Sequence, residues 1–155
     1  VREIFTGVYA SDMGLWIPDA AKALRYKKSL DRNDLLMFYN ISAEFAYSLD
    51  QRSLADRSRS VVFSSIPDAV LVSGQITGEA AKIDDIESVK KILPYTPVLA
   101  NTGVKLETVT NILKIGGSNK TGTYRDDFGD STNLIVSDLF IIMTITSIIS
   151  IILGF

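Results

Sequence analysis

Four short apolar runs recur along the chain, and a stretch with helical spacing follows each of them. The runs begin near Ile4, Leu35, Ala69 and Val98, so successive runs start roughly 30 residues apart, the length of a βα unit. Short continuous apolar runs are typical of parallel strands that are covered on both faces. The pattern therefore predicts a parallel α/β fold of four βα units with a piece of a fifth.

Helical segments are expected after each apolar run. The first unit is expected to hold a strand over Ile4 to Tyr9 and a loop over Ala10 to Pro18 before its helix. Apolar residues at steps of three and four, with Pro or Asp early and lysines late, predict the helices. They are expected over Asp19 to Leu30, Arg52 to Ser65, Ile83 to Leu93 and Glu107 to Ile115.

Two architectures accommodate four such units. A complete (β/α)8 barrel needs roughly 250 residues, so the units would form about half of one. The chain has 155 residues. The alternative is an open doubly wound sheet, but neither a Walker motif nor GxGxxG occurs at the first strand, which argues against its nucleotide-binding version. Because Val1 is the first residue and apolar residues follow at once, we expect the sequence to begin inside a larger protein.

Each apolar run breaks into Ser, Thr, Asn or Gly at its end, most clearly in PVLANTG from Pro97 to Gly103. The carboxyl ends of parallel strands are where α/β proteins hold small molecules. Hydroxyl and amide groups at that position suit a sugar or another polyhydroxyl ligand. The residues expected to bind it are Asn40, Ser42, Ser73, Gly74, Asn101 and Thr102.

Two carboxylates are candidates for catalysis. Glu44 is the only carboxylate among the strand-end residues, which makes it the candidate general base. Asp12, in the loop after the first strand, is the second candidate acid. The alternatives are structural, because a glutamate after a strand is commonly a solvated residue or a helix cap, and an aspartate beside Gly14 is commonly a turn residue.

Charge and composition exclude several classes of function. Sixteen basic and eighteen acidic side chains give a net charge of -2 without a long basic run, so nucleic-acid binding is not expected. The absence of cysteine and histidine removes thiolate nucleophiles, the usual zinc ligands and Ser-His-Asp catalysis. No cluster of carboxylates indicates a metal site, although magnesium held beside a phosphate stays open. The sequence does not identify a cofactor.

Five stretches, in order along the chain, carry a resemblance to a known family. They are FTGVYASDMG (Phe5 to Gly14), AAKALRYKKSL (Ala20 to Leu30), FYNISAEFA (Phe38 to Ala46), DAVLVSGQITG (Asp68 to Gly78) and PVLANTGVKLETV (Pro97 to Val109). Over Val1 to Asp127 the chain resembles the second half of the BtpA/SgcQ family. The resemblance implies a phosphate-binding TIM barrel of the ribulose-phosphate-binding kind. One family member is linked to photosystem I biogenesis at the thylakoid membrane, and another lies among sugar-transport and sugar-metabolism proteins.

The resemblance also implies a phosphate site in the loops after the last two barrel strands. Backbone N–H groups and glycines in such loops let an anion approach closely. On this chain the site corresponds to Gly103 and Val104 together with Gly122 and Thr123. The alternative interpretation is that Gly103 only turns the chain into the next helix.

The C-terminal segment differs from the rest of the chain. Leu139 to Phe155 holds seventeen residues without a charge, or 22 from Leu134 with Asp138 tolerated, which is just long enough to cross a bilayer. We therefore divide the chain into a partial barrel domain, residues 1–127, and a hydrophobic tail, residues 128–155. The alternatives for the tail are membrane contact through Leu134 to Phe155, sequence foreign to the barrel, and a buried element that closes the sheet.

Three functions are compatible with these features. We expect the chain to bind a phosphorylated small molecule, a sugar or nucleoside phosphate, at the strand ends. The alternatives are a non-enzymatic assembly factor that acts at a membrane, and an inactive fragment. For the location of the chain we expect the cytoplasm or a membrane surface. Enzymatic activity is left open because the chain has Asn40, Glu44 and Phe45 where many bacterial family members have an acidic residue, a lysine and a histidine. Half a barrel leaves two open strand edges, so we expect the chain either to pair with another copy or to fold poorly.

Overall fold

Strands and helices alternate along the chain. The computed structural model describes residues 1–76, 78–115, 121–125 and 131–135. In chain order the elements are β1 (Arg2–Glu3), β2 (Tyr9–Ser11), β3 (Gly14–Trp16), α1 (Ala20–Ser29), β4 (Phe38–Asn40), β5 (Ala46–Ser48), α2 (Leu54–Ser65), β6 (Ala69–Val72), α3 (Ile83–Ile92), β7 (Val98–Ala100), α4 (Leu106–Ile115), β8 (Thr121–Arg125) and β9 (Ser131–Ile135).

A parallel sheet of four strands organises the fold. Its strand order is β1-β4-β6-β7, which is also the order along the chain. Residues of α2, α3 and α4 pack in one apolar cluster against a single face of the sheet. A doubly wound sheet reverses its strand order at a switch point, and this sheet does not. The α/β prediction is confirmed, and the strand order is that of consecutive units in a (β/α)8 barrel rather than of the open doubly wound alternative.

The two faces of this sheet bury different sets of residues because side chains alternate along a strand. Val70, Val72, Val98 and Ala100 point toward the helices and are fully buried, with Ile86 and Val89 of α3 among the residues that cover them. On the opposite face, Leu71 and Leu99 pack with Ala69 and Phe38. Continuing that face two residues toward the carboxyl ends leads from Phe38, Leu71 and Leu99 to Asn40, Ser73 and Asn101.

The predicted first strand and loop are wrong. The first parallel strand is Arg2–Glu3, paired with Phe38 and Tyr39, and Gly7 at φ +93° interrupts the expected strand over Ile4 to Tyr9. The expected loop over Ala10 to Pro18 instead contains a β-hairpin. A positive φ of +104° at Gly14 allows the tight turn. The hairpin joins β5 in an antiparallel sheet of order β3-β2-β5.

The helices agree with the predicted segments, and side-chain caps set the starts of α1 and α2. The Asp19 carboxylate accepts a hydrogen bond from the backbone N–H of Lys22 at 2.8 Å, which caps α1. The Ser53 hydroxyl accepts from the N–H of Asp56 at 3.1 Å, which caps α2. Helix α2 ends at Ser65 and is followed by the cap residue Ile66, whose backbone is left-handed with φ +48°.

The C-terminal elements form a separate hairpin. Strand β8 pairs antiparallel with β9, with Gly122 opposite Leu134 and Thr123 opposite Asn133. The predicted domain boundary after residue 127 and the uncharged run from Leu139 to Phe155 lie outside the described residues. Across the part of the chain that is described, no helix has both the length and the apolar character needed to cross a membrane.

Candidate functional site

Three polar side chains meet at the carboxyl ends of β4, β6 and β7. The Ser73 hydroxyl accepts hydrogen bonds from the side-chain amides of Asn40, at 2.8 Å, and Asn101, at 2.7 Å. All three residues are buried, with between 3% and 6% of their surface exposed. Buried amides and hydroxyls are stable only when hydrogen-bonded. The sequence therefore places these residues correctly at strand ends, and the structure joins them into one cluster.

Two charged side chains extend this cluster. Arg2 Nη1 donates a hydrogen bond to Asn101 Oδ1 at 2.5 Å, reaching across the sheet from β1 to the end of β7. Asn101 Nδ2 also donates to Glu44 Oε1 at 3.3 Å. The predicted general base thus lies beside the cluster. Arg2 was not predicted, because the first strand was expected to begin at Ile4; a strand placed over residues 2 and 3 would have shown it.

A cavity of about 210 Å³ opens beside the cluster. Its walls combine an arginine, two glutamates, two asparagines and two aromatic rings, which is a mixture suited to a small polar ligand with a flat or ring-shaped part. The lining residues are Arg2, Glu3, Ile4, Trp16, Asn40, Glu44, Phe45 and Asn101. Three of the predicted residues, Asn40, Glu44 and Asn101, share this cavity.

Ser42, Gly74 and Thr102 connect the strand ends to one another. The Ser42 hydroxyl accepts from the backbone N–H of Ser73 at 2.7 Å and donates to the Ser73 carbonyl at 3.3 Å. The Thr102 hydroxyl accepts from the N–H of Gly74 at 2.8 Å. These groups hold the backbone of the loops that follow β4, β6 and β7. Their predicted contact with a ligand stays a prediction.

Gly74 and Gly103 lie under the backbone of the loop that precedes α3. A Cβ atom at Gly74 would overlap the Glu79 carbonyl, and one at Gly103 would overlap the backbone of Glu79 and Ala80. Gly103 also has a positive φ of +61°. Close backbone packing therefore accounts for both glycines. Gly122 and Thr123 lie in β8 of the C-terminal hairpin, and the phosphate site proposed for Gly103, Val104, Gly122 and Thr123 stays a prediction.

Asp12 lies in the exposed turn between β2 and β3 and does not line the cavity of Glu44. The Ser11 hydroxyl stabilises that turn by accepting from the N–H of Met13 at 3.2 Å and donating to the Gly14 carbonyl at 3.0 Å. This environment agrees with the turn interpretation of Asp12. Within the described residues, no three or more Asp or Glu side chains are grouped as a metal site would require.

Comparison with known proteins identifies relatives along most of the chain. A family model described as the BtpA family matches residues 1–144, past the point at Asp127 where the resemblance noted in the sequence ends. SgcQ, a protein of the sgc region of Escherichia coli (strain K12), is 38% identical over 123 residues, which cover 79% of this chain and 46% of SgcQ. No solved structure matches the chain.

Two further relatives have lower sequence identity to this chain than SgcQ has. The photosystem I biogenesis protein BtpA of Synechocystis is 24% identical over 111 residues, 72% of this chain and 38% of that protein. An uncharacterized protein of Archaeoglobus fulgidus is 34% identical over 124 residues, 77% of this chain and 46% of that protein. The chain therefore spans about half the length, or less, of the curated relatives it matches.

Proposed function

The chain belongs to the BtpA family, and on that premise we propose that it binds a phosphorylated sugar or nucleoside at the carboxyl ends of its parallel strands. The observation that carries this proposal is the buried Asn40–Ser73–Asn101 cluster beside the 210 Å³ cavity. The hydrogen bonds within the cluster hold the side-chain amides of Asn40 and Asn101 in place. The orientation of these groups is therefore set before a ligand binds. Preorganisation of this kind reduces the entropy lost on binding.

The charges around the cavity suggest how such a ligand would be oriented. Arg2 lines the cavity together with the two carboxylates of Glu3 and Glu44, so the wall carries one more negative than positive charge. Carboxylates accept hydrogen bonds from sugar hydroxyls but repel phosphate. We therefore assign the hydroxyl-bearing part of the ligand to Glu44 and the amides. The phosphate belongs nearer Gly103 and Val104, which precede α4, because helix starts favour anions.

Calorimetric titration with ribose 5-phosphate, ribose and inorganic phosphate tests this proposal. We expect ribose 5-phosphate to bind more tightly than either part alone. Glu44→Gln should weaken binding by about tenfold, since it removes a charged acceptor of ligand hydroxyls. Glu87→Gln is the matched control, because Glu87 is exposed on α3, and it should bind as the wild type does. Absence of binding to all three compounds would refute the proposal.

A membrane-associated assembly role is the second candidate. It is supported by the name of the Synechocystis relative and by the uncharged run within Leu134 to Phe155. Sedimentation of the full chain with vesicles tests it. If the protein still sediments with the vesicles when ribose 5-phosphate saturates it, the result would favour this role. Recovery of all the protein in the supernatant would rule the role out.

A further inference from the structure

One face of the β3-β2-β5 sheet carries large apolar side chains that are exposed. In the centre of this sheet Ala10 is paired with Leu15 on one side and with Tyr47 on the other. Because side chains alternate along strands, these three residues share a face. Leu15 is 66% exposed and Tyr47 is 72% exposed.

A second row of apolar residues lies beside the first. Two positions along β2 from Ala10 is Val8, whose carbonyl accepts a hydrogen bond from the N–H of Leu49 at 2.9 Å. Ile17 follows Leu15 by two positions and is 68% exposed. We call the set formed by these two rows the apolar face: Val8, Ala10, Leu15, Ile17, Tyr47 and Leu49.

The reverse side of the same sheet is already used by the fold. Tyr9 is 3% exposed and packs with Ile4 and Ala43. Trp16 lines the cavity of the candidate site. The apolar face is therefore the opposite side of the sheet from Tyr9 and Trp16, and at its margin Ala10 and Tyr47 line a cavity together with Gln75 and Ile76.

The exposed area is large for a surface that stays in water. Together with Met13, which is 86% exposed in the hairpin turn, the apolar face presents roughly 700 Å², against about 300 to 600 Å² for the largest patch of a typical monomer. A stable protein–protein interface buries about 800 Å² on each partner. The area therefore matches what one such interface needs.

The charges around the apolar face favour a protein over a membrane as its binding partner. None of the six residues of the apolar face is charged. The adjoining carboxylates are Asp12 in the turn, Asp19 two residues after Ile17, and Asp50 directly after Leu49, where Arg52 pairs with Asp50. Peripheral membrane surfaces are basic at such positions because lipid headgroups are anionic. An acidic margin opposes that contact.

We propose that the apolar face binds the same face of a second copy of this chain in a two-fold symmetric dimer. Two sheets can pack face to face with their strands nearly aligned. In such a dimer the same patch is used twice, so Leu15 of each copy lies near Tyr47 of the other. The dimer does not depend on the proposed ligand, and a chain that binds no sugar phosphate would still form it.

Sedimentation velocity across about 1 to 100 µM tests the dimer. The wild type is expected to dimerise, whereas Leu15→Lys and Tyr47→Lys should weaken dimerisation by at least about 30-fold, the effect of losing a central interface residue. Phe63→Lys is the matched control, because Phe63 is an apolar residue that is 90% exposed on α2, and it should dimerise as the wild type does. A monomeric wild type, or lysine variants that dimerise normally, would overturn the proposal.

Chemical crosslinking provides a test that keeps the large side chains of the apolar face. The chain has no cysteine, so a single Ala10→Cys substitution supplies one thiol at the centre of the interface. Packed sheets lie about 10 Å apart, and a bis-maleimide of about that length should join two copies of Ala10→Cys but not of Phe63→Cys. Equal crosslinking of the two variants would overturn the proposal. Binding of the wild type to phosphatidylglycerol vesicles that is lost in Tyr47→Lys would instead assign the face to a membrane.

Discussion

Replacing Ser73 by alanine should destabilise the fold markedly, although only one oxygen atom is removed. That hydroxyl accepts hydrogen bonds from two buried amides, those of Asn40 and Asn101. Leaving a buried donor without an acceptor costs about 1 to 3 kcal/mol. Asn101 Nδ2 also donates to Glu44, so the loss of Ser73 should cost less at Asn101 than at Asn40. We expect the free energy of unfolding to fall by about 2 to 4 kcal/mol in total.

Urea unfolding monitored by circular dichroism measures this loss. In thermal unfolding, the same loss of about 2 to 4 kcal/mol should lower the melting temperature of a chain of this size by roughly 5 to 15 °C. Ser88→Ala is the matched control: the Ser88 hydroxyl donates to the Asp85 carbonyl within α3 at 2.8 Å, and its removal should change stability by less than about 0.5 kcal/mol. If Ser73→Ala and Ser88→Ala unfold at the same urea concentration, the cluster does not contribute to stability as described.

Three further outcomes are expected from other parts of the chain. Gly103→Ala should destabilise more than Gly14→Ala in urea unfolding, because both have positive φ but only Gly103 is covered by backbone; equal losses would contradict this. Ile66→Gly should raise stability in thermal unfolding by about 1 kcal/mol, since a branched residue that is 74% exposed is strained at φ +48°; a lower melting temperature would contradict it. Hydrogen bonds from Arg52 lower the pKa of Asp50 from 3.8 to about 2. The contribution of this pair to the stability of the fold is therefore present above pH 3.8 and is lost as the pH falls through about 2. In an NMR titration of Arg52→Gln the pKa of Asp50 should return toward 3.8, and an unchanged pKa would refute the assignment.

The sequence predicts the four βα units because their information is local. The run that begins at Ala69 is apolar up to Val72, as a strand covered on both faces must be, and the observed strand is Ala69–Val72. Helix α3 was likewise predicted to within one residue, at Leu93. In both cases periodicity and capping within a few neighbouring positions determine the element.

The sequence fails where contacts are distant along the chain. The strand Arg2–Glu3 is only two residues long and is defined by pairing with Phe38 and Tyr39, so no local pattern indicates it. Arg2 was missed for that reason. The turn beside Gly14 was recognised, but the pairing of its hairpin with β5 lies more than 30 residues away and was not.

The sequence predicts that polar residues lie at the strand ends, but it does not predict what each of them contacts. Asn40, Glu44 and Asn101 line one cavity, as the strand-end rule implies. Ser42 and Thr102 have the same polar character, yet their hydroxyls bind backbone groups of neighbouring loops. A sequence does not show which polar groups at a strand end serve the fold, because that depends on how the loops from separate units approach one another.

NMR observation of the side-chain amides of Asn40 and Asn101 during a titration with ribose 5-phosphate tests the proposed site most directly. Both amides lie beside the cavity that we assign to the ligand. The proposal predicts that their signals shift together and saturate at the concentration where calorimetry shows saturation. Signals that stay in place while ribose 5-phosphate binds would show that the ligand occupies another part of the protein, and would contradict the proposed site.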